Sequence, residues 1–129
     1  MIPLTCRGVN ESFWVTTGTT QSGDISSDIK LAAQSSATVI ILMAMSKLEA
    51  IMDIFMASGK SDTPVAIIQD GTTSKEKMVI GKVKDIVFKS QYARLANPAI
   101  IIIGEVVKFH SSHIKETVQS HLNYKSLSL

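Results

Sequence analysis

Histidine and cysteine are the first candidates in this sequence for metal ligation or nucleophilic chemistry, since serine and threonine are plentiful but none is marked as a nucleophile. His110 and His113 are spaced i, i+3, so a helix would place them on one face, where a third donor such as His121 could complete a metal site. Histidine pairs at this spacing are far more often solvated surface residues, and we predict no metal site. Cys6 is the single cysteine, which excludes an internal disulfide and favours a plain thiol in a cytosolic protein.

A second candidate for chemistry is the glycine and hydroxyl segment Gly71-Thr72-Thr73, which follows a predicted buried strand. Glycine allows a ligand to approach the backbone closely, although an Asp-Gly pair at such a position is more often a tight turn. The sequence contains no G-x-x-x-x-G-K-[ST], G-x-G-x-x-G or G-x-S-x-G motif. The sequence therefore lacks the motifs that shape phosphate-loop, dinucleotide-binding and serine-hydrolase sites, and we assign no catalytic residue.

The element that must position such a segment is the apolar run at residues 38–46. Its uninterrupted apolar stretch, residues 39–45, begins with β-branched side chains, which is typical of a strand buried on both faces. Ser46 and Glu49 have the spacing of a capping box, which predicts that a helix starts at Ser46. Gly59 can supply the left-handed residue that ends this helix. The apolar stripe of the helix consists of Leu48, Ile51, Met52 and Phe55.

The end of this strand is the first place to look for a ligand. Ligands of such sheets gather beyond the carboxyl ends of the strands, which points to residues 43–46. Buried methionines, however, more often fill gaps in a core than contact a ligand. From the residue pattern alone, the segment is therefore predicted to be a core element rather than a binding site.

The rest of the chain predicts further strands and helices around this element. We expect strands at residues 13–17, 64–69, 78–81 and 99–103, the last continued through residues 105–107, and helices at residues 28–33 and 83–96. The strands at 64–69 and 78–81 are placed to form a hairpin. These elements predict an α/β domain whose sheet has about five strands.

The composition excludes several classes of protein. Lys and Arg total 13 against 11 Asp and Glu, scattered without interleaved aromatic residues, so we expect no nucleic acid partner. The apolar run is too short to span a bilayer and no basic segment followed by an apolar one opens the chain, so we expect no membrane partner. Apolar residues make up 45% of the sequence, which suggests an apolar face that meets a partner.

Five motifs in this order and at these spacings carry a resemblance to a known family. They are residues 2–8 (IPLTCRG), 15–18 (VTTG), 42–44 (LMA), 64–73 (PVAIIQDGTT) and 98–107 (PAIIIIGEVV). Together they resemble the carboxyl-terminal half of the uroporphyrinogen-III C-methyltransferases, within the tetrapyrrole methylase family. The resemblance implies an α/β fold with a mixed sheet. It covers residues 1–109 as one lobe, and leaves residues 110–129 as a tail with a possible helical stripe.

The resemblance also implies a cofactor and its contacts. It implies methyl transfer from S-adenosyl-L-methionine to two pyrrole carbons of uroporphyrinogen III, which gives precorrin-2 for sirohaem and cobalamin biosynthesis. Met43 and Gly71 match family residues that contact the cofactor, and Ala44, Pro98 and Ala99 are neighbouring candidates.

The substrate assignment implied by the resemblance falls on one arginine. Arg7 matches an arginine that faces the tetrapyrrole acids, and a guanidinium can hold a carboxylate through two hydrogen bonds. Without the motif, Arg7 would be an ordinary surface residue. Two departures accompany the match, because Cys6 replaces a usual histidine and Glu76 replaces a common glutamine. The first puts a substrate contact at that position in doubt.

The family's amino-terminal half has no counterpart in this sequence, so the resemblance implies a partner lobe that closes the cleft, and a homodimer. One lobe alone is expected to be inactive. Two alternatives stay open: a methylase of another tetrapyrrole intermediate, or a non-catalytic α/β dimerisation domain. The second predicts that Met43 and Gly71 are buried under neighbouring elements with no open cleft beside them.

Overall fold

The structure is a computed structural model and describes residues 1–110. Five strands alternate irregularly with three α-helices over these residues. In chain order the elements are β1 (Phe13–Thr17), α1 (Asp28–Gln34), β2 (Thr38–Leu42), α2 (Leu48–Ala57), β3 (Pro64–Gln69), β4 (Lys77–Lys82), α3 (Ile86–Tyr92) and β5 (Ala99–Ile103). Two 3₁₀ helices, Met45–Lys47 and Glu105–Phe109, follow β2 and β5.

The strands form one mixed sheet in the order β1-β2-β5-β3-β4. β1 pairs in parallel with β2, whereas the other three pairings are antiparallel, including the predicted β3–β4 hairpin. The predicted α/β fold with about five strands is therefore confirmed. Because β5 lies between β2 and β3 and runs against both, its first residues lie beside the last residues of its neighbours. This edge is called the β2–β3 carboxyl edge below.

One face of the sheet holds the main core, because all three helices pack on it. The stripe predicted for α2 is confirmed, since Leu48, Ile51, Met52 and Phe55 are all buried. Strand residues at alternate positions meet these helices, including Ile41, Ile67 and Ile101. Burying one such side chain stabilises the fold by about 1.5–3 kcal/mol, which is why the apolar runs specify these strands.

The opposite face of the sheet is apolar as well and carries a smaller cluster. Ile40, Ala66 and Ile102 are buried there with Val107 from the second 3₁₀ helix, and Ile2 packs against them. Leu42, Ile68 and Ile100 continue this face to the β2–β3 carboxyl edge, where they are only half-buried. The sheet therefore offers partly open apolar surface at that edge.

Two boundaries around β2 differ from the prediction. The strand ends at Leu42 rather than Met45, because Met43 adopts a left-handed backbone with φ 52° and turns the chain out of the sheet. The capping box at Ser46 is wrong: α2 begins at Leu48 after the 3₁₀ turn, and no side chain caps it. Gly59 has the predicted positive φ, 79°.

Two later boundaries also differ. The helix predicted over residues 83–96 spans only Ile86–Tyr92, and Arg94, with φ 56°, prevents its continuation. Residues 105–107 form a 3₁₀ helix instead of extending β5. The Gly104 N–H donates to the carbonyl of Pro64, the first residue of β3, so β3 offers no further residue for β5 to pair with. The tail predicted at residues 110–129 lies outside the described residues beyond position 110.

Candidate functional site

A cavity of about 740 Å³ opens at the β2–β3 carboxyl edge. It is lined by three segments: the turn after β2, the loop after β3, and the residues that lead into β5. The lining residues are Leu42, Met43, Met45, Ser46, Ile68, Asp70, Gly71, Thr72, Thr73, Asn97, Pro98, Ala99 and Ile100. A volume of this size is within the range of small-molecule and cofactor sites.

The floor of the cavity is an apolar row across three strands. Ile100 of β5 is directly opposite Leu42 of β2 on one side and Ile68 of β3 on the other. Side chains at paired positions lie on the same face of a sheet. The floor can therefore contact the flat, apolar faces of a planar ligand.

The first wall is the turn that contains Met43. The Gly18 N–H donates to the Leu42 carbonyl at 2.7 Å, and the Thr19 hydroxyl donates to the Met43 carbonyl at 3.4 Å. The Met43 side chain is 66% exposed and lines the cavity. Ala44 points away, buried against Gly18, where a Cβ on the glycine would lie 2.4 Å from the Ala44 Cβ. Close packing behind the turn thus holds Met43 in its unusual conformation.

The second wall is the loop that follows β3. Asp70 and Thr72 both have left-handed backbones, with φ 50° and 66°. The Thr72 N–H donates to the Glu76 carboxylate at 3.0 Å, and the Thr73 hydroxyl donates to the Asp70 carbonyl at 2.6 Å. Gly71 lies between these residues and is exposed to the cavity. By accepting the Thr72 N–H, the Glu76 side chain therefore stabilises the bend of the loop around Gly71.

The third wall precedes β5 and joins the second. The Asp70 N–H donates to the Pro98 carbonyl at 3.1 Å, which places Gly71 and Pro98 on neighbouring walls. Asp70 is also the single charged residue among those that line the cavity. The other polar groups at the rim belong to Ser46, Thr72, Thr73 and Asn97. The site thus combines an apolar floor with a mostly neutral polar rim and one carboxylate.

The structure brings four of the five predicted cofactor residues to this cavity and leaves one, Ala44, outside it. Met43, Gly71, Pro98 and Ala99 all line it. Ala44 lies behind the first wall, so its side chain does not reach the cavity. The alternative of a non-catalytic dimerisation domain predicted that Met43 and Gly71 would be buried with no open cleft beside them. In the structure both residues are exposed and line one cavity.

Arg7 lies elsewhere on the lobe. It is exposed in the turn between Cys6 and Asn10, and the Asn10 amide donates to the Thr38 hydroxyl at 2.6 Å. Thr38 starts β2, whereas the cavity lies where β2 ends. Arg7 and Met43 are therefore not brought together, and the substrate role of Arg7 stays a prediction.

Sequence reasoning missed part of the lining. Asp70 and Asn97 received no role, although each directly precedes a residue that was singled out, Gly71 or Pro98. Acidic and amide residues tolerate left-handed backbone better than most, which is the signal that Asp70 offers. Ile68 and Ile100 were predicted only as buried strand residues, because the pairing of β3 with β5 that brings them together is not visible in the sequence.

Other kinds of site find little support in the described part of the chain. Within residues 1–110, no group of three His, Cys, Asp or Glu side chains is arranged to hold a metal ion, and His113 and His121 lie outside that range. Among the same residues, no helix has the length and apolar character needed to cross a membrane.

The cavity and the mixed sheet together define an α/β lobe with an open cavity of cofactor size, and comparison with known proteins gives its family. Residues 1–87 match the family described as Tetrapyrrole (Corrin/Porphyrin) Methylases. The uroporphyrinogen-III C-methyltransferase of Methanocaldococcus jannaschii is 35% identical over 108 residues, covering 82% of this chain and 45% of that protein. A sirohaem synthase of Psychrobacter is 34% identical over 110 residues, covering 84% of this chain and 23% of that protein.

A solved structure gives the same architecture. The uroporphyrin-III C-methyltransferase of Thermus thermophilus, in complex with S-adenyl homocysteine, superposes with a TM-score of 0.74 at 24% identity, covering 84% of this chain and 48% of that chain. This likeness concerns the fold. The chain belongs to the tetrapyrrole methylase family, and it spans less than half the length of these relatives.

Proposed function

We propose that this chain is the cofactor-binding, carboxyl-terminal lobe of an S-adenosyl-L-methionine-dependent uroporphyrinogen-III C-methyltransferase. The observation that carries the proposal is the joint position of Met43 and Gly71. They follow two different strands, 28 residues apart by their numbering, and line opposite segments of one cavity. The M. jannaschii relative, at 35% identity, supports the same assignment.

The cofactor fits the chemistry of the cavity. The apolar row of Leu42, Ile68 and Ile100 suits the faces of an adenine ring, and hydroxyl and amide groups at the rim suit ribose and amino-acid groups. When bound, the cofactor supplies a methyl group on a sulfonium. Met43, Gly71, Pro98 and Ala99 would hold it from one side. Ala44 contributes by supporting Met43 from behind.

A second lobe is needed to complete the site. Methyl transfer requires the sulfonium and the pyrrole carbon in line and water excluded, and a cleft closed by two lobes provides this positioning. This lobe covers 45% of the M. jannaschii enzyme, which leaves the length of another lobe in such proteins. We propose that the lobe described here does not catalyse methyl transfer by itself.

The proposed substrate is uroporphyrinogen III, with Arg7 as a contact for one of its carboxylates. The position of Arg7 in an exposed turn leaves its guanidinium free to meet a group brought by the second lobe. Cys6 beside it cannot reproduce the hydrogen bonds and charge of a histidine. Another tetrapyrrole intermediate remains the alternative substrate, because the cofactor wall does not select among them.

We also propose a homodimer in the cytosol. Phe88 and Tyr92 are 71% and 85% exposed and lie one turn apart on α3, and exposed aromatic groups are typical of interfaces. The single cysteine, without a disulfide partner, supports the cytosolic location.

The experiment that tests the proposal is methyl transfer by the assembled enzyme. The chain is co-expressed with the amino-terminal lobe of the M. jannaschii relative, and incorporation of labelled methyl into uroporphyrinogen III is measured. We expect transfer by the assembled protein and none by the chain alone. Transfer only to a different tetrapyrrole supports the alternative substrate. Failure of the assembled protein to bind S-adenosylhomocysteine contradicts the proposal.

A further inference from the structure

Gln69, the last residue of β3, connects two walls of the cavity without lining it. Its side-chain oxygen accepts the Ala96 N–H at 2.8 Å. Its side-chain nitrogen donates to Asp70 Oδ2 at 3.3 Å. A glutamine can make both contacts because its amide carries a donor and an acceptor.

The two partners of Gln69 belong to different walls. Asp70 opens the loop that contains Gly71, and Ala96 precedes the wall formed by Asn97 and Pro98. A backbone hydrogen bond also joins these walls, since the Asp70 N–H donates to the Pro98 carbonyl at 3.1 Å. The Gln69 side chain therefore links the start of its own loop to Ala96, which is 27 residues away from it along the chain, at the mouth of the cavity.

The segments that Gln69 bridges include residues with left-handed backbones. Asp70 and Thr72 have φ 50° and 66°, and Arg94, two residues before Ala96, has φ 56°. Non-glycine residues keep such conformations only when surrounding contacts impose them. The contacts of Gln69 are among those that hold this geometry, so their loss should let both walls relax.

We propose that Gln69 is a positioning residue that sets the spacing of the Gly71 and Pro98 walls and thereby the affinity for the cofactor. The proposal rests on the proposed function for its second half only. The spacing of the walls is a property of the lobe itself and can be measured without a ligand.

The first test is amide hydrogen exchange, measured by NMR on the chain carrying Gln69→Leu. The Ala96 amide loses its acceptor and should exchange about tenfold faster, the factor expected for one ordinary hydrogen bond. The Asp70 amide should exchange faster as well, while the core amides of Ile67 and Ile101 keep their rates. Gln34→Leu, at an exposed position on α1, is the matched control. Unchanged exchange at Ala96 and Asp70 overturns the proposal.

The second test exchanges donor and acceptor between the two side chains. Gln69→Glu removes the donor and sets a second carboxylate against Asp70, and S-adenosylhomocysteine should bind about tenfold more weakly to the assembled two-lobe protein. Adding Asp70→Asn restores a donor opposite the introduced carboxylate and should recover most of the affinity. Asp70→Asn alone keeps an acceptor for Gln69 and is the reference against which the double variant is compared, since the two differ only at residue 69.

The outcomes separate the two proposals. A double variant that binds no more tightly than Gln69→Glu alone overturns the positioning role. Wild-type protein that does not bind S-adenosylhomocysteine contradicts the proposed function, and the exchange rates then decide the wall-spacing role independently.

Discussion

Met43 presents its side chain to the cavity from a backbone conformation that methionine seldom adopts. A positive φ at a non-glycine residue is uncommon and persists where surrounding contacts fix it. Here two hydrogen bonds to the carbonyls of Leu42 and Met43, together with the packing of Ala44 on Gly18, provide those contacts. The exposed thioether thus has little to contribute to folding and is available to a ligand.

This separation of roles predicts the behaviour of Met43→Ala. The free energy of unfolding should change by less than about 0.5 kcal/mol, because the side chain is mostly exposed. The affinity of the assembled protein for S-adenosylhomocysteine should fall about tenfold, as expected when a large apolar contact to a ligand is removed. Isothermal titration and denaturant unfolding measure the two quantities.

Leu31→Ala provides the control for Met43→Ala. Leu31 is 56% exposed on α1, away from the cavity, so its truncation should leave affinity unchanged. Equal affinity in Met43→Ala and the wild type would contradict the assignment of Met43.

At the level of single residues, the sequence predicted some of the residues that line or shape the cavity and missed others. Met43 and Gly71 were predicted as cofactor contacts because they lie within motifs that carry the family resemblance, and both line the cavity. Gln69 could not, because its partner Ala96 is brought close only by the pairing of β3 with β5. Asp70 gave a weak local signal, and its place at the cavity follows from the turn that it starts.

The elements around the cavity depend on contacts at their ends. Apolar runs, and in β1 a cluster of β-forming residues, predicted all five strands, because such side chains favour an extended backbone within a sheet. The ends of β2 and α3 were predicted wrongly, since Met43 and Arg94 stop them through positive φ values that their residue types do not encode. The failed capping box at Ser46 has the same origin, because the turn at Met43 leads into a 3₁₀ helix first.

The close approach of β1 to the turn after β2 predicts a cost for Gly18→Ala. A Cβ at this position would lie 2.4 Å from the Ala44 Cβ and 3.3 Å from Ile41 Cγ2, so the turn must move. Overpacking of this kind costs about 2 kcal/mol, measurable as a fall in the denaturant midpoint. Adding Ala44→Gly removes the nearest atom and should recover part of the loss. Full stability in Gly18→Ala would contradict this packing.

The start of α3 predicts a pH dependence of stability. Partial desolvation raises the pKa of Asp85, but the Lys82 N–H at 2.7 Å and the Lys89 ammonium at 3.4 Å outweigh it and leave the pKa below its ordinary value of 3.8. A carboxyl with a depressed pKa stabilises the fold above its ordinary pKa, and this contribution is lost as the pH falls through the folded-state pKa.

Asp85→Asn tests this contribution, because the amide keeps an acceptor and loses the charge. The variant should be less stable than the wild type by about 0.5 kcal/mol at neutral pH, a small value because solvent screens the partly exposed pair. The difference should disappear once the wild-type carboxyl is protonated. Urea unfolding at a series of pH values measures it, and a difference that persists in acid would argue against a charge effect.

At the scale of the whole molecule, the proposed second lobe would meet a partly open apolar surface. The apolar row at the cavity floor is only half-buried, and the second 3₁₀ helix and Ile2 cover the rest of that face in the described part of the chain. The relatives are more than twice as long as the matched region. Both facts are consistent with the proposed lobe, which would meet another surface across the proposed cofactor site.

The proposed dimer gives a prediction for mass in solution. Sedimentation equilibrium should give twice the 14.0 kDa mass of the chain at high protein concentration. Phe88→Asp, on the exposed face of α3, should shift the population towards monomer, whereas Leu31→Asp should not. A wild-type chain that sediments only as a monomer would remove the support for this interface.

The central claim is that the cofactor lies on the row formed at the ends of β2 and β3 and the start of β5. Methyl NMR of the assembled two-lobe protein, titrated with S-adenosylhomocysteine, tests it most directly. We predict shifts for the methyl groups of Met43, Ile68 and Ile100, with those of Ile29 and Ile86 in the helix-covered core unchanged. Saturable binding that leaves Met43, Ile68 and Ile100 unperturbed would contradict the account.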